Sequence, residues 1–189
     1  MSLVKRSMGA ASAALSGIVA VCVTSIAPAQ DSNRGEPDFL TESYGDWVVR
    51  CEQADATGQT TDRNCEMVQQ LTSASSGQVL VQLRFAPPGE DDSHVGMLTV
   101  PLGILVQQPI TLRVDGEDLI EARVSSCVQI GCIAQFTVDP VDWQALRDGE
   151  SLAVRLATAN SREIYEAALS LQGFEAASDR LAEFAGAAN

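Results

Sequence analysis

Lysine and histidine are almost absent from this chain, since each occurs once, as Lys5 and His94. Acidic residues number 25 against 12 lysines and arginines, so the formal charge is −13. A negative field of this size repels nucleic acid and anionic membranes, and it suits basic partners, bridging cations or simple solubility. The acids are scattered along the chain and are not massed in one tail. We therefore interpret the charge as serving solubility, and we predict no nucleic-acid ligand.

Motifs for nucleotide and acyl-transfer chemistry are also missing. The chain has no G-x-x-x-x-G-K-[ST] loop, no strand-linked G-x-G-x-x-G and no G-x-S-x-G nucleophile elbow. His94 follows the acidic run 90–92 in a polar segment, so we interpret it as a solvated loop residue and not as a catalytic base. A single histidine argues against a zinc enzyme, and the run 90–92 lacks the ligand spacing of a calcium loop. The sequence therefore predicts no enzyme, no cofactor and no metal ion, with a hydrolase that uses paired carboxylates as a low-ranked alternative.

A secretory signal peptide is predicted at residues 1–29. Two basic residues precede the uncharged apolar run 8–23, and the small-residue triplet 27–29 follows it. The run is shorter than the roughly 20 residues that a spanning helix needs, so we expect cleavage and no integral membrane anchor. A lipoprotein signal at Cys22 is the other interpretation, but Val21 before it is larger than the small residue normally found there. The predicted location is the periplasm, with outer-membrane association or secretion as alternatives.

Four cysteines remain after this cleavage, namely Cys51, Cys65, Cys127 and Cys132. An even number in an exported domain predicts two disulfides, for which three connectivities are possible. We prefer Cys51–Cys65 with Cys127–Cys132, because each pair closes a polar or glycine-containing turn between two strand-like runs. A structural role is favoured for both pairs. The second lacks the C-x-x-C spacing of redox-active thiols, and the four cysteines together lack the spacing of a zinc site.

The remaining chain divides into a lead-in and one domain. Residues 30–42 are polar and contain a glycine and a proline, which predicts a disordered lead-in. Regular structure is expected to begin near Gly45, and residues 43–189 are expected to form a single domain. Short runs of alternating apolar and polar residues follow, each ending at a turn signal. This pattern predicts strands at residues 78–85, 110–114, 119–127, 132–138, 151–158 and 163–171.

Turn and helix signals complete the predicted architecture. Asp115-Gly116 is a dipeptide that two-residue hairpin turns favour. Asp139 can cap a short helix that starts at Pro140 and ends at Gly149. An amphipathic helix is predicted after Gly173, and its apolar stripe is expected to pack on the sheet because its other face is acidic. The predicted fold class is therefore all-β, a mainly antiparallel β-sandwich or barrel-like domain with a short helix and a C-terminal amphipathic helix.

Four separate segments carry a family resemblance. They are Gly45-Asp46-Trp47-Val48-Val49-Arg50-Cys51, Val100-Pro101-Leu102-Gly103-Ile104, Cys127 with Gly131-Cys132-Ile133-Ala134, and Ser170-Leu171-Gln172-Gly173-Phe174. In this order and spacing they resemble the invasion-associated locus B family of exported alphaproteobacterial proteins, over roughly residues 43–184. The resemblance implies a periplasmic or surface-associated β-rich domain with no established enzyme activity. The family is named for a member linked to host-cell invasion.

The motif residues also have structural interpretations. Trp47 and Phe174 are expected in the core, and Pro101 and Gly103 are expected to shape an edge strand or a bulge. Our first hypothesis for the function is a non-enzymatic envelope protein, a protein-binding or structural module whose partner is an unknown envelope or host protein. The alternative is a periplasmic small-ligand carrier with an apolar pocket between sheet and helix.

Overall fold

The domain is built mainly from β-strands. The computed structural model describes residues 39–53 and 63–187. Its strands are β1 (Phe39–Tyr44), β2 (Trp47–Gln53), β3 (Arg63–Thr72), β4 (Val79–Pro88), β5 (His94–Val100), β6 (Ile110–Val114), β7 (Glu117–Ala122), β8 (Val124–Val128), β9 (Gly131–Val138), β10 (Ser151–Ala157) and β11 (Ile164–Ser170). Its helices are α1 (Pro140–Asp148) and α2 (Phe174–Ala187), and neither is long and apolar enough to cross a membrane. The predicted signal peptide at 1–29 and the first part of the predicted lead-in lie outside the described residues.

The strands form two antiparallel sheets. One sheet has seven strands in the order β1-β2-β3-β4-β5-β9-β8, and the other has four in the order β11-β10-β6-β7. Apolar residues from both sheets and both helices join one buried cluster. This open, sandwich-like arrangement confirms the predicted fold class, including the short helix and the C-terminal helix.

The core faces of the strands follow the predicted period of two. In β4, Val81, Leu83 and Phe85 are all 0% exposed, while the residues between them are partly exposed. α2 packs against β2, β3 and β4 and buries Phe174 and Leu181 completely. Burying a side chain of this size contributes about 1.5–3 kcal/mol. The packing of α2 on the sheet is therefore a major part of the stability of the domain, as its apolar stripe predicts.

Turn and capping residues lie where the sequence places them. Asp115 and Gly116 join β6 to β7 with φ values of 51° and 89°, the positive values that a type I′ hairpin turn requires. Asp139 caps α1, since its carboxylate accepts hydrogen bonds of 2.9 Å from the backbone N–H groups of Val141 and Asp142. The local signals for this turn and this helix start are thus confirmed.

Two strand boundaries differ from the predictions. β1 begins at Phe39, before the expected start near Gly45, so the lead-in predicted at 30–42 is in part a strand. β1 buries little and is held by pairing with β2, which its own pattern does not reveal. The single strand predicted at 119–127 is interrupted at Arg123 and forms β7 and β8, which belong to different sheets. Alternation with a period of two indicates which residues of a strand face inwards, but it does not indicate which sheet the strand joins.

Candidate functional site

The first and last motif segments meet in the fold. The backbone N–H of Asp46 donates to the carbonyl oxygen of Gln172 at 3.1 Å. This contact joins the β1–β2 turn to the turn between β11 and α2. We call the two segments, residues 45–47 and 170–174, the motif junction.

Both glycines of the motif junction lie where a side chain has no room. Gly45 has a φ of 57°, and a Cβ atom there would lie 2.4 Å from the carbonyl oxygen of Gln172. Gly173 has a φ of 86°, and its Cβ would lie 2.1 Å from the carbonyl oxygen of Tyr44. Any other residue would therefore strain the backbone and push the two turns apart.

A buried glutamine, which the sequence analysis missed, completes the motif junction. Gln69 is 6% exposed, and its amide donates to the carbonyl oxygen of Ser170 at 2.8 Å and accepts from the Ser170 N–H at 2.8 Å. The indole Nε1–H of Trp47 donates to the same carbonyl oxygen at 2.9 Å. A signal for Gln69 was present, because it occupies the inward-facing phase of β3 between Met67 and Leu71. A polar residue in an apolar phase needs a buried partner.

Aromatic side chains link the motif junction to both helices. The rings of Trp47 and Phe174 have centroids 5.0 Å apart, and those of Phe85 and Trp143 are also 5.0 Å apart. Trp47 and Phe174 are 0% exposed, which confirms their predicted place in the core. α2 thus lies directly on the sheet, and this packing does not favour the alternative of a carrier with an apolar pocket between sheet and helix.

His94 is not the solvated loop residue that the sequence predicts. It begins β5 and is 4% exposed. Its ring stacks on Trp143 with centroids 3.5 Å apart and planes 10° apart, and its Nδ1 lies 3.1 Å from the carbonyl oxygen of Ala86. Burial lowers the pKa of His94 below its ordinary value of 6.5, against the opposing effects of the Ala86 carbonyl and Asp92. The prediction was wrong because the acidic residues before His94 resemble a loop, whereas the Trp143 side chain of α1 covers the ring.

The contacts of the His94 ring are a stacked indole and a backbone carbonyl. In the described part of the chain, no serine, cysteine or carboxylate side chain is hydrogen-bonded to its ring. The described residues also contain no group of three or more His, Cys, Asp or Glu side chains placed to hold a metal ion.

A buried serine ties the two helices together. Ser178 of α2 is 3% exposed, and its hydroxyl oxygen accepts hydrogen bonds from Trp143 Nε1 at 3.1 Å and from Arg147 Nη1 at 2.9 Å. Arg147 also pairs with Asp179 at 2.8 Å and with Glu175 at 3.3 Å. Through these contacts α1 is held in the position that covers the ring of His94.

The two disulfides have the connectivity that the sequence favours, but they differ in exposure. Cys51–Cys65 joins β2 to β3, and both residues are buried. Cys127–Cys132 joins β8 to β9 beside the hairpin turn, where Cys127 is exposed and Cys132 is buried. Gly131 lies next to this bridge with a φ of 144°, and a Cβ there would lie 2.4 Å from a backbone oxygen of β5. The glycine therefore lets the hairpin approach its neighbouring strand closely.

The outer face of the seven-stranded sheet carries a polar cluster. The guanidinium group of Arg50 binds the carboxylate of Glu66, and Arg84 Nη1 lies 3.8 Å from the other carboxylate oxygen. These residues border a shallow depression of about 280 Å³. The two guanidinium groups share the carboxylate of Glu66, and Glu52 adds a second acid to the lining, so the formal charges of the cluster balance. Such partly exposed pairs contribute little stability.

The loop after β5 forms an exposed apolar surface instead. It borders a depression of about 250 Å³. The depression is lined by side chains and backbone of β4, this loop, β10 and β11, namely Leu80, Pro101, Leu102, Gly103, Ile104, Leu156, Thr158 and Tyr165. We call these residues the apolar rim. Leu102 is 57% exposed and Tyr165 is 42% exposed, so these two side chains face solvent, whereas Ile104 and Leu156 belong to the buried core and form the floor of the depression.

The backbone of the apolar rim is fixed to the end of β10. The N–H of Leu105 donates to the carbonyl oxygen of Ala157 at 2.8 Å, and the N–H of Ala159 donates to that of Gly103 at 2.8 Å. Pro101 and Gly103 were expected to shape an edge strand or a bulge, and this prediction was wrong. They lie in a loop that contributes an isolated bridge to the sheet. The loop is therefore not part of a strand, but its two backbone hydrogen bonds to residues 157 and 159 fix its position.

Comparison with known proteins extends these observations. The family described as invasion associated locus B protein matches residues 47–182, which include the apolar rim and most of the motif junction. Invasion protein B of Bartonella bacilliformis is 34% identical over 145 residues, covering 75% of this chain and 74% of that protein. An invasion protein B homolog of Brucella abortus is 31% identical over 150 residues, covering 78% of this chain and 82% of that protein.

A solved structure shares the fold. The crystal structure of invasion associated protein B from Bartonella henselae matches with a TM-score of 0.69 at 31% sequence identity, covering 78% of this chain and 98% of that one. The family match spans well over half of the chain, and the relatives agree with it in sequence and in fold. This chain therefore belongs to the invasion-associated locus B family.

Proposed function

We propose that this protein is exported to the cell envelope and acts there without catalysis, as a protein-binding or structural module. The observation that carries the proposal is the division of the motif residues between a buried junction and an exposed surface. Trp47 and Phe174 are 0% exposed, whereas Leu102, between Pro101 and Gly103, is 57% exposed. Packing of the core accounts for the first group. Apolar surface gathered on one face of a domain is typical of a site for another molecule.

The envelope is the proposed compartment for two reasons. Both cysteine pairs form disulfides, which persist in oxidising compartments such as the periplasm. The predicted signal peptide at residues 1–29 supports the same location. The relatives are named as invasion proteins, and we accordingly propose an envelope protein or a host-cell protein as the partner.

Export is tested by N-terminal sequencing of the protein from fractionated cells. The expected result is a periplasmic chain that starts at Gln30. Full-length protein in the cytoplasm would contradict the proposed compartment.

Binding is tested by photocrosslinking in the cell. Amine-reactive reagents are unsuitable, because the chain has no lysine after residue 29. A photoreactive phenylalanine analogue is therefore placed at three exposed apolar positions, Leu102, Ile130 and Val141, which are 57%, 81% and 78% exposed. The proposal predicts a discrete protein adduct at one position at least. If no adduct forms at any of the three positions, the proposal that the protein binds another protein is contradicted.

A further inference from the structure

The apolar rim is formed where two uncharged parts of an acidic chain meet. Residues 67–83 and 95–112 contain no Asp, Glu, Lys or Arg, although 20% of all residues in the chain are charged. Leu80 comes from the first stretch, and the loop at 101–104 comes from the second. Among the residues that line the depression between them, the phenol of Tyr165 is therefore the one ionisable side chain.

The apolar rim is also preorganised for ligand binding. Its loop is fixed to β10 by backbone hydrogen bonds, and Gly103 has open space around its Cβ position. Leu102 and Tyr165 lie at its border, where they are 57% and 42% exposed. A fixed apolar surface loses little conformational entropy when another side chain docks on it.

The rest of this chain does not offer a side chain for the depression. The parts of the mature chain outside the described residues are 30–38, 54–62 and 188–189, and none of them contains a Leu, Ile, Val, Met or aromatic residue. The apolar segment 1–29 is expected to be removed on export. We therefore look for the occupant in another molecule.

Charge disfavours a second copy of this chain as that molecule. Removal of residues 1–29 leaves ten arginines against 25 acids, a formal charge of −15. Two such copies repel each other, whereas a segment with lysines or arginines is attracted. An acid is available at the border, because the backbone of Glu163 accepts a hydrogen bond from the N–H of Thr158 at 2.9 Å. Its carboxylate accepts a hydrogen bond from Ser161 and, within the described residues, forms no ion pair.

We propose that the apolar rim binds a segment of a partner protein in which an aliphatic or aromatic side chain is flanked by lysine or arginine. The apolar side chain occupies the depression between Leu80, Leu102 and Tyr165. A flanking cation pairs with Glu163. This inference rests on the proposed function, since it names the surface and the chemistry through which the binding module works.

A defined peptide tests the proposed chemistry. The probe is a fluorescent heptapeptide with a Leu-Phe-Leu centre and two lysines on each side of it. The matched control peptide has glutamates in place of the lysines. Affinities are measured for the mature protein, for Leu102→Asp and for Val141→Asp. Val141 lies on α1, which precedes the start of β10, whereas the apolar rim lies at the end of that strand. Both variants add one negative charge, so they differ in where the charge is placed.

The expected result is specific for the apolar rim. Leu102→Asp should weaken binding of the lysine peptide at least tenfold, and Val141→Asp should change it less than twofold. Glu163→Gln should weaken binding about threefold at low salt and have no effect at high salt. Equal affinities of the two aspartate variants, or equal binding of the glutamate peptide, would overturn the proposal, because the attraction would then be unspecific.

Two other occupants of the depression, a second copy of this chain and a lipid surface, would give different results. Sedimentation of the mature protein alone should show a monomer, and a dimer that Leu102→Asp dissociates would overturn the proposal in favour of a second copy. Binding to vesicles of phosphatidylethanolamine and phosphatidylglycerol, at 3:1, should be absent. Binding that depends on Leu102 would overturn it in favour of a lipid surface.

Mapping of the crosslinked peptide in the cell separates this inference from the proposed function. A Leu102 adduct on a partner segment with lysine or arginine within three residues supports the inference. An adduct at Val141 or Ile130 with none at Leu102 would overturn the inference and leave the proposed function standing, as would a Leu102 adduct on an acidic segment. No adduct at any position would overturn both.

Discussion

The motif junction and the apolar rim each contain a glycine with nearly the same φ angle, but in opposite surroundings. Gly173 has a φ of 86° and Gly103 has a φ of 91°. A Cβ at Gly173 would lie 2.1 Å from a backbone oxygen, whereas a Cβ at Gly103 would have no atom within 4 Å. The first glycine is needed for its conformation and its small size, and the second for its conformation alone. Gly173 thus allows two segments of the scaffold to pack together, whereas Gly103 leaves open space on the surface.

The largest expected difference between the two regions is at their large apolar side chains. Trp47→Ala should lower the free energy of unfolding by about 3–5 kcal/mol, because a buried ring and its hydrogen bond to Ser170 are lost. Leu102→Ala, at a side chain that is 57% exposed, should change it by about 0.5 kcal/mol or less. Urea melts of both variants measure the difference. Similar losses for the two would show that Leu102 also belongs to the core.

The two glycines give the next largest contrast. Gly103→Ala should cost about 1–2 kcal/mol, the strain of a side chain in the left-handed region. Gly173→Ala should cost more, about 2–5 kcal/mol, because the overlap with the carbonyl oxygen of Tyr44 is added to the same strain. Urea midpoints of the two variants, with unchanged slopes, report the difference. A smaller cost at Gly173 than at Gly103 would contradict the close packing of the motif junction.

Gln69 sharpens the comparison within one strand. Gln69→Leu should lower the free energy of unfolding by about 1–3 kcal/mol, because it leaves the partly buried N–H of Ser170 without its hydrogen-bond acceptor. Gln70→Leu is the control, since this neighbouring side chain is exposed and should matter little. Thermal melts of both variants decide the outcome. Equal stability of the two variants would refute the role of Gln69 in the motif junction.

The smallest expected effect is the pH dependence that His94 contributes. Burial lowers the pKa of His94 in the folded state below 6.5, so the unfolded chain binds the proton more readily. Its stabilising contribution is therefore complete above about pH 6.5, and it is lost as the pH falls from 6.5 through the lower folded pKa. His94→Phe keeps a ring against Trp143 but does not titrate.

Urea melts at pH 8, 6.5 and 5.5 test this sign. The stability of the wild type relative to His94→Phe should be constant between pH 8 and about 6.5 and should fall at pH 5.5. A relative stability that rises as the pH falls would mean that the folded protein favours the charged imidazole. The packing around Trp143 would then need another explanation.

Local signals account for what the sequence predicts correctly. The Asp115-Gly116 turn, the Asp139 cap and the alternating strands each depend on residues close together in the chain. The helix after Gly173 is recognisable in the same way from the spacing of its apolar residues. These signals are enough for the fold class.

Contacts between distant segments account for what the sequence does not reveal. β1 is stabilised by pairing with β2, and His94 is buried because α1 and Trp143 cover it from another part of the chain. The strand predicted at 119–127 looks continuous, but the chain changes sheet at Arg123. The surface position of Pro101 and Gly103 follows from the attachment of their loop to the end of β10, which neither residue type specifies.

Hydrogen–deuterium exchange with and without the lysine-flanked peptide tests the central comparison most directly. The backbone N–H groups of Leu102, Gly103 and Ile104 should exchange more slowly when the peptide is bound. Exchange at Asp46 and Ser170 in the motif junction should stay the same. Protection that appears at the motif junction, or its absence from the apolar rim at saturating peptide, would contradict the division of this molecule into a buried scaffold and an exposed binding surface.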